Sequence, residues 1–129
     1  MAAAFAQALD RDDFDAARAL LAESCEYDTG EGLVRGADAV LAPYRETSER
    51  CRRTFDEIVY ASEVESAEGG RATILFIDRI RHRGLRHAFR CRQVIEVDER
   101  GRVARIEHRE IDGEREKLEA FFRAAGVDW

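Results

Sequence analysis

The chain of 129 residues predicts an α+β fold. Three observations carry that reading. Residues 69–112 read as three long strands joined by two short turns. The residues ahead of them place apolar side chains at helical spacing, as a cover for the sheet. An apolar stripe after them predicts a closing helix. A chain of this length makes one domain with a substantial core.

The elements follow in order. Phe5 and Leu9 sit one helical turn apart and predict a short helix over residues 2–10. Asp10-Arg11-Asp12-Asp13 breaks it and supplies N-cap carboxylates for a second helix running to about Glu23, with Phe14, Ala17, Leu20 and Leu21 facing inward. Residues 24–28 form a short strand and Thr29-Gly30-Glu31-Gly32 a loop. Leu33-Val34-Arg35 is a brief strand ended by Gly36. A third helix covers residues 38–51 and buries Val40, Leu41 and Tyr44; Pro43 sits in its first turn or kinks it. Residues 53–64 form a strand carrying Phe55, Ile58, Val59 and Tyr60, and residues 63–70 a polar turn.

The meander then begins. Residues 71–83 put Ala72, Ile74, Phe76, Asp78 and Ile80 on one face and Arg79, Arg81 and Arg83 on the other, while Leu75 and Ile77 make the middle apolar on both faces and call for a cover on the outer side there. Arg83-Gly84 reads as a two-residue hairpin turn, which sets Ile80 opposite His87, Asp78 opposite Phe89 and Phe76 opposite Cys91. On the second strand Leu85, His87, Phe89, Cys91, Gln93, Ile95 and Val97 share that inner face. After the turn at residues 98–101, the third strand places Ala104, Ile106, His108 and Glu110 inward, unless a bulge at Gly101 exchanges the faces. Asp112 is the expected cap of the closing helix, which buries Leu118, Phe121 and Phe122 and stops at Gly126.

The inner face so assigned carries five polar residues: Asp78, His87, Gln93, His108 and Glu110. An unpaired polar group in an apolar interior costs roughly 2–7 kcal/mol. Either these groups satisfy one another or they line a cavity that holds water or a ligand.

Composition excludes several classes. With 45% hydrophobic residues the chain is not a disordered one, and a net charge of −6 disfavours nucleic acid and anionic membranes as partners. Cys25, Cys51 and Cys91 lack metal-ligand spacing and read as reduced thiols of a cytoplasmic protein. There is no glycine-rich phosphate loop, so no cofactor or metal is expected. No apolar run reaches membrane-spanning length, and residues 1–8 do not read as a signal peptide.

The element order resembles that of the nuclear transport factor 2-like superfamily, a cone of helices wrapped by a curved, mixed or antiparallel sheet. The residues that carry the resemblance are Phe5-Ala6-Gln7-Ala8-Leu9, Asp12-Asp13-Phe14-Asp15, Cys25-Glu26-Tyr27-Asp28, Gly36-Ala37-Asp38-Ala39-Val40 and the hairpin over residues 98–106. Within it the chain is most similar to SnoaL-like polyketide cyclase and ketosteroid isomerase-like domains. That likeness implies a small hydrophobic ligand, proton transfer on a hydrophobic carbonyl compound, and a homodimer formed through the outer sheet face. It places the isomerase base at Asp28. The oxyanion-hole tyrosine position is Phe5, without a hydroxyl, and the protonated-aspartate position is Gln93. Losing one such donor costs about 10²–10³ in rate, which argues against efficient steroid isomerisation and leaves proton transfer on another substrate open.

Asp28 and His108 are therefore the candidate catalytic residues. Asp28 serves as a general base or simply closes a turn beside Gly30 and Gly32. His108 is an acid/base oriented by Glu110 or part of a structural polar network; residues two apart on a strand stand about 7 Å apart. Tyr27, Tyr44, Phe55, Phe76, Asp78, Phe89, Gln93, Ile106 and Glu110 are the candidate ligand-binding residues. Asp78 with His87 also reads as a diagonal cross-strand ion pair. Cys91 reads as a buried inert thiol, and the outer arginines Arg79, Arg81, Arg86, Arg90, Arg92, Arg105 and Arg109 as ion-paired. A cavity above about 300 Å³ reaching Asp28 and His108 would favour a ligand site. A collapsed interior would favour a non-enzymatic dimerising ligand-binding or protein-interaction module.

Overall fold

The computed structural model describes Met1–Trp129 throughout. Its elements are α1 (Ala2–Asp10), α2 (Phe14–Ala19), β1 (Leu21–Asp28), β2 (Leu33–Arg35), α3 (Ala37–Thr54), β3 (Glu57–Glu68), β4 (Arg71–His82), β5 (Leu85–Val97), β6 (Val103–Glu110) and α4 (Glu114–Ala125). The fold is α+β, with a curved, unclosed sheet of six strands in the order β2-β1-β6-β5-β4-β3. β1 runs parallel to β6, and every other pair is antiparallel.

The meander matches its expected register. Ile80 stands opposite His87, Asp78 opposite Phe89 and Phe76 opposite Cys91. The turn that sets this register has positive φ at both central residues, Arg83 at 49° and Gly84 at 80°, as a tight hairpin requires. Arg83 tolerates that conformation with help: its N–H donates to Asp56 Oδ2 at 2.8 Å, and its guanidinium donates to the Ala125 carbonyl at 3.2 Å.

A bulge is present, not at Gly101 but between Val103 and Arg105. It turns Val103 inward as well as Ile106, and both are fully buried. Beyond the bulge the assigned faces hold, with His108 opposite Gln93 and Glu110 opposite Cys91.

Other boundaries differ from expectation. α2 ends at Ala19, and Leu21 is buried as the first residue of β1 rather than as part of a helix. Asp13 does cap α2, its carboxylate accepting from Ala16 N at 3.1 Å. Residues 63–68 are strand, not turn: β3 runs to Glu68 and pairs with β4 along its whole length. Its outer half is an exposed sheet edge with polar side chains on both faces, so no alternation marks it. α4 is capped by Gly113 at φ 85° rather than by Asp112, and it ends at Gly126 in the left-handed conformation as expected. α3 continues through Pro43 in its second turn.

The core divides in two. A larger cluster joins α1, α2 and α3 to β1 and to the bottom of the meander around Phe5, Leu21, Ile74, Ile95 and Ile106. A smaller one gathers Cys51, Phe55, Ile58, Ile80, Phe121 and Phe122 under α4. Between them, successive inner-face positions on β4, β5 and β6 carry Asp78, Cys91, Gln93 and His108, which cannot join an apolar core without partners.

Candidate functional site

Where the two cores part, the structure leaves a cavity of about 330 Å³. Tyr27, Tyr44, Phe76, Asp78, Phe89, Gln93 and His108, all expected at a site, line it together. The helices and β3 add residues that the sequence did not single out for this role: Leu9 and Asp10 from α1, Phe14 from α2, Pro43, Thr47 and Ser48 from α3, Tyr60 from β3, and Arg115 from α4. Cys91 faces the same space, and burial pushes its thiol up to about 12, so it is no nucleophile at neutral pH.

Four expected site residues lie outside the lining. Asp28 ends β1, and its carboxylate accepts from Gly30 N at 3.0 Å, closing a turn instead of facing the interior. Phe55 belongs to the second core, stacked on Phe122 at 5.9 Å. Ile106 is fully buried in the first core. Glu110 is exposed and bound to Arg115, whose guanidinium holds its carboxyl below the usual range. His108 is consequently not oriented by Glu110. Burial lowers its pKa, and its Nδ1 is buried without a partner.

One wall is a closed polar triad. Tyr44 Oη donates to Gln93 Oε1 at 2.6 Å, and Gln93 Nε2 donates to Tyr27 Oη at 3.0 Å. The two tyrosine rings stack at 5.2 Å. Desolvation raises both phenols, Tyr27 to about 12, so they stay neutral. Replacing Gln93 by leucine is expected to destabilise the fold by about 1–3 kcal/mol for each hydroxyl left without another partner, read by urea unfolding. A loss below about 0.5 kcal/mol would show that the triad holds nothing in place.

Farther along the same sheet face the lining is acidic. Asp78 sits on β4 with Phe89 across the strand pair and Tyr60 on its other side. Burial first, and the charge of Asp10 second, raise its pKa from the ordinary 3.8 to about 6, with no hydrogen-bond donor offsetting them. The diagonal pair with His87 does not form: His87 stacks on Phe121 at 5.2 Å, and its Nε2 has no partner. Asp10, at the end of α1, accepts from Ser62 Oγ at 2.6 Å; burial raises its pKa, while Ser62 and Arg11 act the other way. Behind this wall, Tyr60 donates to Ser48, Ser48 to Asp12 Oδ1 at 2.8 Å, and Arg52 to Asp12 Oδ2 at 2.7 Å.

A second hollow, of about 400 Å³, opens on the outer face over Glu57, Val59, Arg79, Arg81 and Arg86. It lacks the phenylalanines, tyrosines and buried acid of the inner cavity, so the chemistry points inward. Several outer arginines are ion-paired, Arg92 with Glu65 at 2.6 Å and Arg109 with Glu107 at 3.2 Å among them. No group of three or more His, Cys, Asp or Glu side chains is placed to hold a metal ion. No helix is long and apolar enough to cross a membrane.

Solved structures share this architecture. A protein from Kribbella flavida is 19% identical with a TM-score of 0.67, over 95% of this chain and 93% of that one. An epoxide hydrolase of the LEH-like type from M. tuberculosis is 21% identical with a TM-score of 0.65, over 99% and 91%. A candidate polyketide cyclase from Xanthomonas campestris pv. campestris is 17% identical with a TM-score of 0.63, over 95% and 91%. At these identities the likeness is one of fold. No curated protein matches the chain in sequence. The SnoaL-like domain family matches residues 2–106, and with the cone fold and its inner cavity in place, this chain belongs to that family.

Proposed function

We propose that the chain binds a small, largely hydrophobic carbonyl compound in the inner cavity and moves a proton to or from it through Asp78. The observation that carries this reading is a carboxyl with a pKa of about 6, without a hydrogen-bond donor, at the wall of a cavity of about 330 Å³. A general base works best when its pKa lies near the working pH, and apolar surroundings are the usual means of raising a carboxylate to that range. Phe76 and Phe89 supply apolar surface beside it. Tyr27 accepts from Gln93 and keeps its own proton to polarise a carbonyl oxygen. Gln93 thus acts through Tyr27 and not as the direct donor expected from the isomerase likeness. His108, neutral by burial, helps to shape the far wall.

The competing reading is a non-enzymatic module with a filled interior. The closed Tyr44–Gln93–Tyr27 triad favours it, whereas the cavity volume and the unpaired Asp78 weigh against it.

Deuterium exchange at the α-carbon of β-tetralone, followed by proton NMR in D₂O, separates the two. The wild type is expected to exchange faster than buffer alone, and Asp78→Asn to lose about 10²–10⁴-fold of that acceleration. Equal exchange by both proteins would remove Asp78 from the chemistry.

A further inference from the structure

The cavity's charge is unbalanced. Two carboxyls, Asp10 and Asp78, line it; burial raises the pKa of both, and the charge of Asp10 raises that of Asp78 further. The one cationic side chain of the lining is Arg115 on α4, whose guanidinium donates to Glu110 outside it. Arg52, nearby on α3, is committed to Asp12. The remaining titratable groups around the space add no charge. Burial keeps Tyr27, Tyr44, Tyr60 and Cys91 protonated, and keeps His108 neutral. Arg11, next to Asp10 in the chain, favours its ionised form from outside the lining, and no cation of the lining itself faces Asp78. Two carboxylates sharing a poorly solvated space repel each other, and an opposite charge between them relieves that strain. Phe14 and Tyr60 already carry the guanidiniums of Arg45 and Arg52, each 5.2 Å from the ring centre; Phe76 and Phe89 carry none and are the surfaces on which an organic cation is held by cation–π attraction.

We propose that the molecule bound here carries a cationic amine, seated against Asp10 and the aromatic wall, with its reacting carbon toward Asp78. This rests on the inner cavity being a ligand site, and it narrows the substrate class to a hydrophobic carbonyl compound bearing an amine. Asp10 is the better seat for the ammonium because the Ser62 hydroxyl and Arg11 favour its ionised form, whereas Asp78 has no such support. The same asymmetry makes an anionic ligand a poor fit, since it would meet two acids and an arginine already engaged.

Three probes on one bicyclic skeleton test it by isothermal titration calorimetry: β-aminotetralin, the corresponding alcohol, and the corresponding carboxylic acid. At about pH 7.5, above the value of about 6 for Asp78, the amine is expected to bind at least about tenfold more tightly than the alcohol, and the acid more weakly than either. Lowering the pH to about 5 protonates Asp78 and is expected to shrink the amine's advantage several-fold while leaving the alcohol unaffected. Asp10→Asn is expected to abolish most of the amine's preference over the alcohol, with a cooperative urea transition like that of the wild type showing that the variant is folded; an undiminished preference would remove Asp10 as the seat. If the alcohol or the acid binds as tightly as the amine, the amine inference is overturned and the ligand site stands. If none of the three binds, the ligand-site reading fails and takes the inference with it.

Discussion

Asp78→Asn is expected to gain stability relative to wild type as pH rises from about 4 to about 8. The sign follows from linkage. In the folded protein the Asp78 carboxyl holds its proton up to about 6, whereas the ordinary value is 3.8. The native state therefore binds the proton more tightly than the unfolded chain. The associated stability is fully present in acid and is lost as pH rises through the folded value. A rise from 3.8 to about 6 corresponds to an upper figure of about 3 kcal/mol. Asparagine keeps the shape and cannot ionise, so the fall between about pH 4 and pH 6 should be missing from the variant. Burying the amide has its own cost, but that cost is the same at every pH and drops out of the comparison. Thermal or urea unfolding of both proteins across this range provides the measurement. Parallel pH profiles would mean that Asp78 is solvated in the fold. A carboxylate retained where it weakens the protein is what a functional site asks for, because the strain that lowers stability also tunes the acid.

Phe5→Ala is expected to cost about 3–5 kcal/mol. Phe5 is fully buried at the centre of the larger core and meets Tyr44 edge-on at 6.0 Å. Truncation leaves a hole under the ring that carries one end of the triad. Two readouts separate simple destabilisation from damage to the site. The urea midpoint should fall with an unchanged slope, as for lost packing in a two-state domain. Tyr44 should also gain freedom, which ought to weaken binding of a cavity ligand more than the loss of folded protein explains. A cost below about 1.5 kcal/mol would mean that the core collapses around the gap and that Phe5 does not brace the cavity wall. Phe5 itself does not line the cavity.

The meander is readable from sequence because both signals it needs are local. Arg83-Gly84 sets the hairpin register, and period-2 alternation then assigns the inner face residue by residue, which brings Asp78, Gln93 and His108 to the right surface. The edge half of β3 is not readable, since an exposed edge strand has no buried face to impose alternation. Asp112 is a reasonable cap by residue type, but Gly113 at positive φ starts α4 instead. The site is legible only on its sheet side. Asp10, Ser48 and Arg115 come from three different helices, and their convergence depends on how those helices dock, which no spacing within a helix reveals. Asp28 misleads for a related reason. An acid at the end of a strand followed by Thr29-Gly30 has a backbone N–H two residues on as its nearest partner, and that contact wins.

The proposed chemistry stands or falls with Asp78 as a poorly solvated acid sharing with Asp10 the lining of a ligand-sized cavity. Carbon-detected NMR titration of the aspartate side-chain carboxyls in the intact protein reads this directly. The Asp78 resonance is expected to titrate near pH 6, well above the ordinary aspartate range, and to move down in Asp10→Asn as the neighbouring charge is removed. A midpoint close to 4, unchanged by that substitution, would mean an ordinary solvated carboxylate and would contradict a proton-transfer role for this residue.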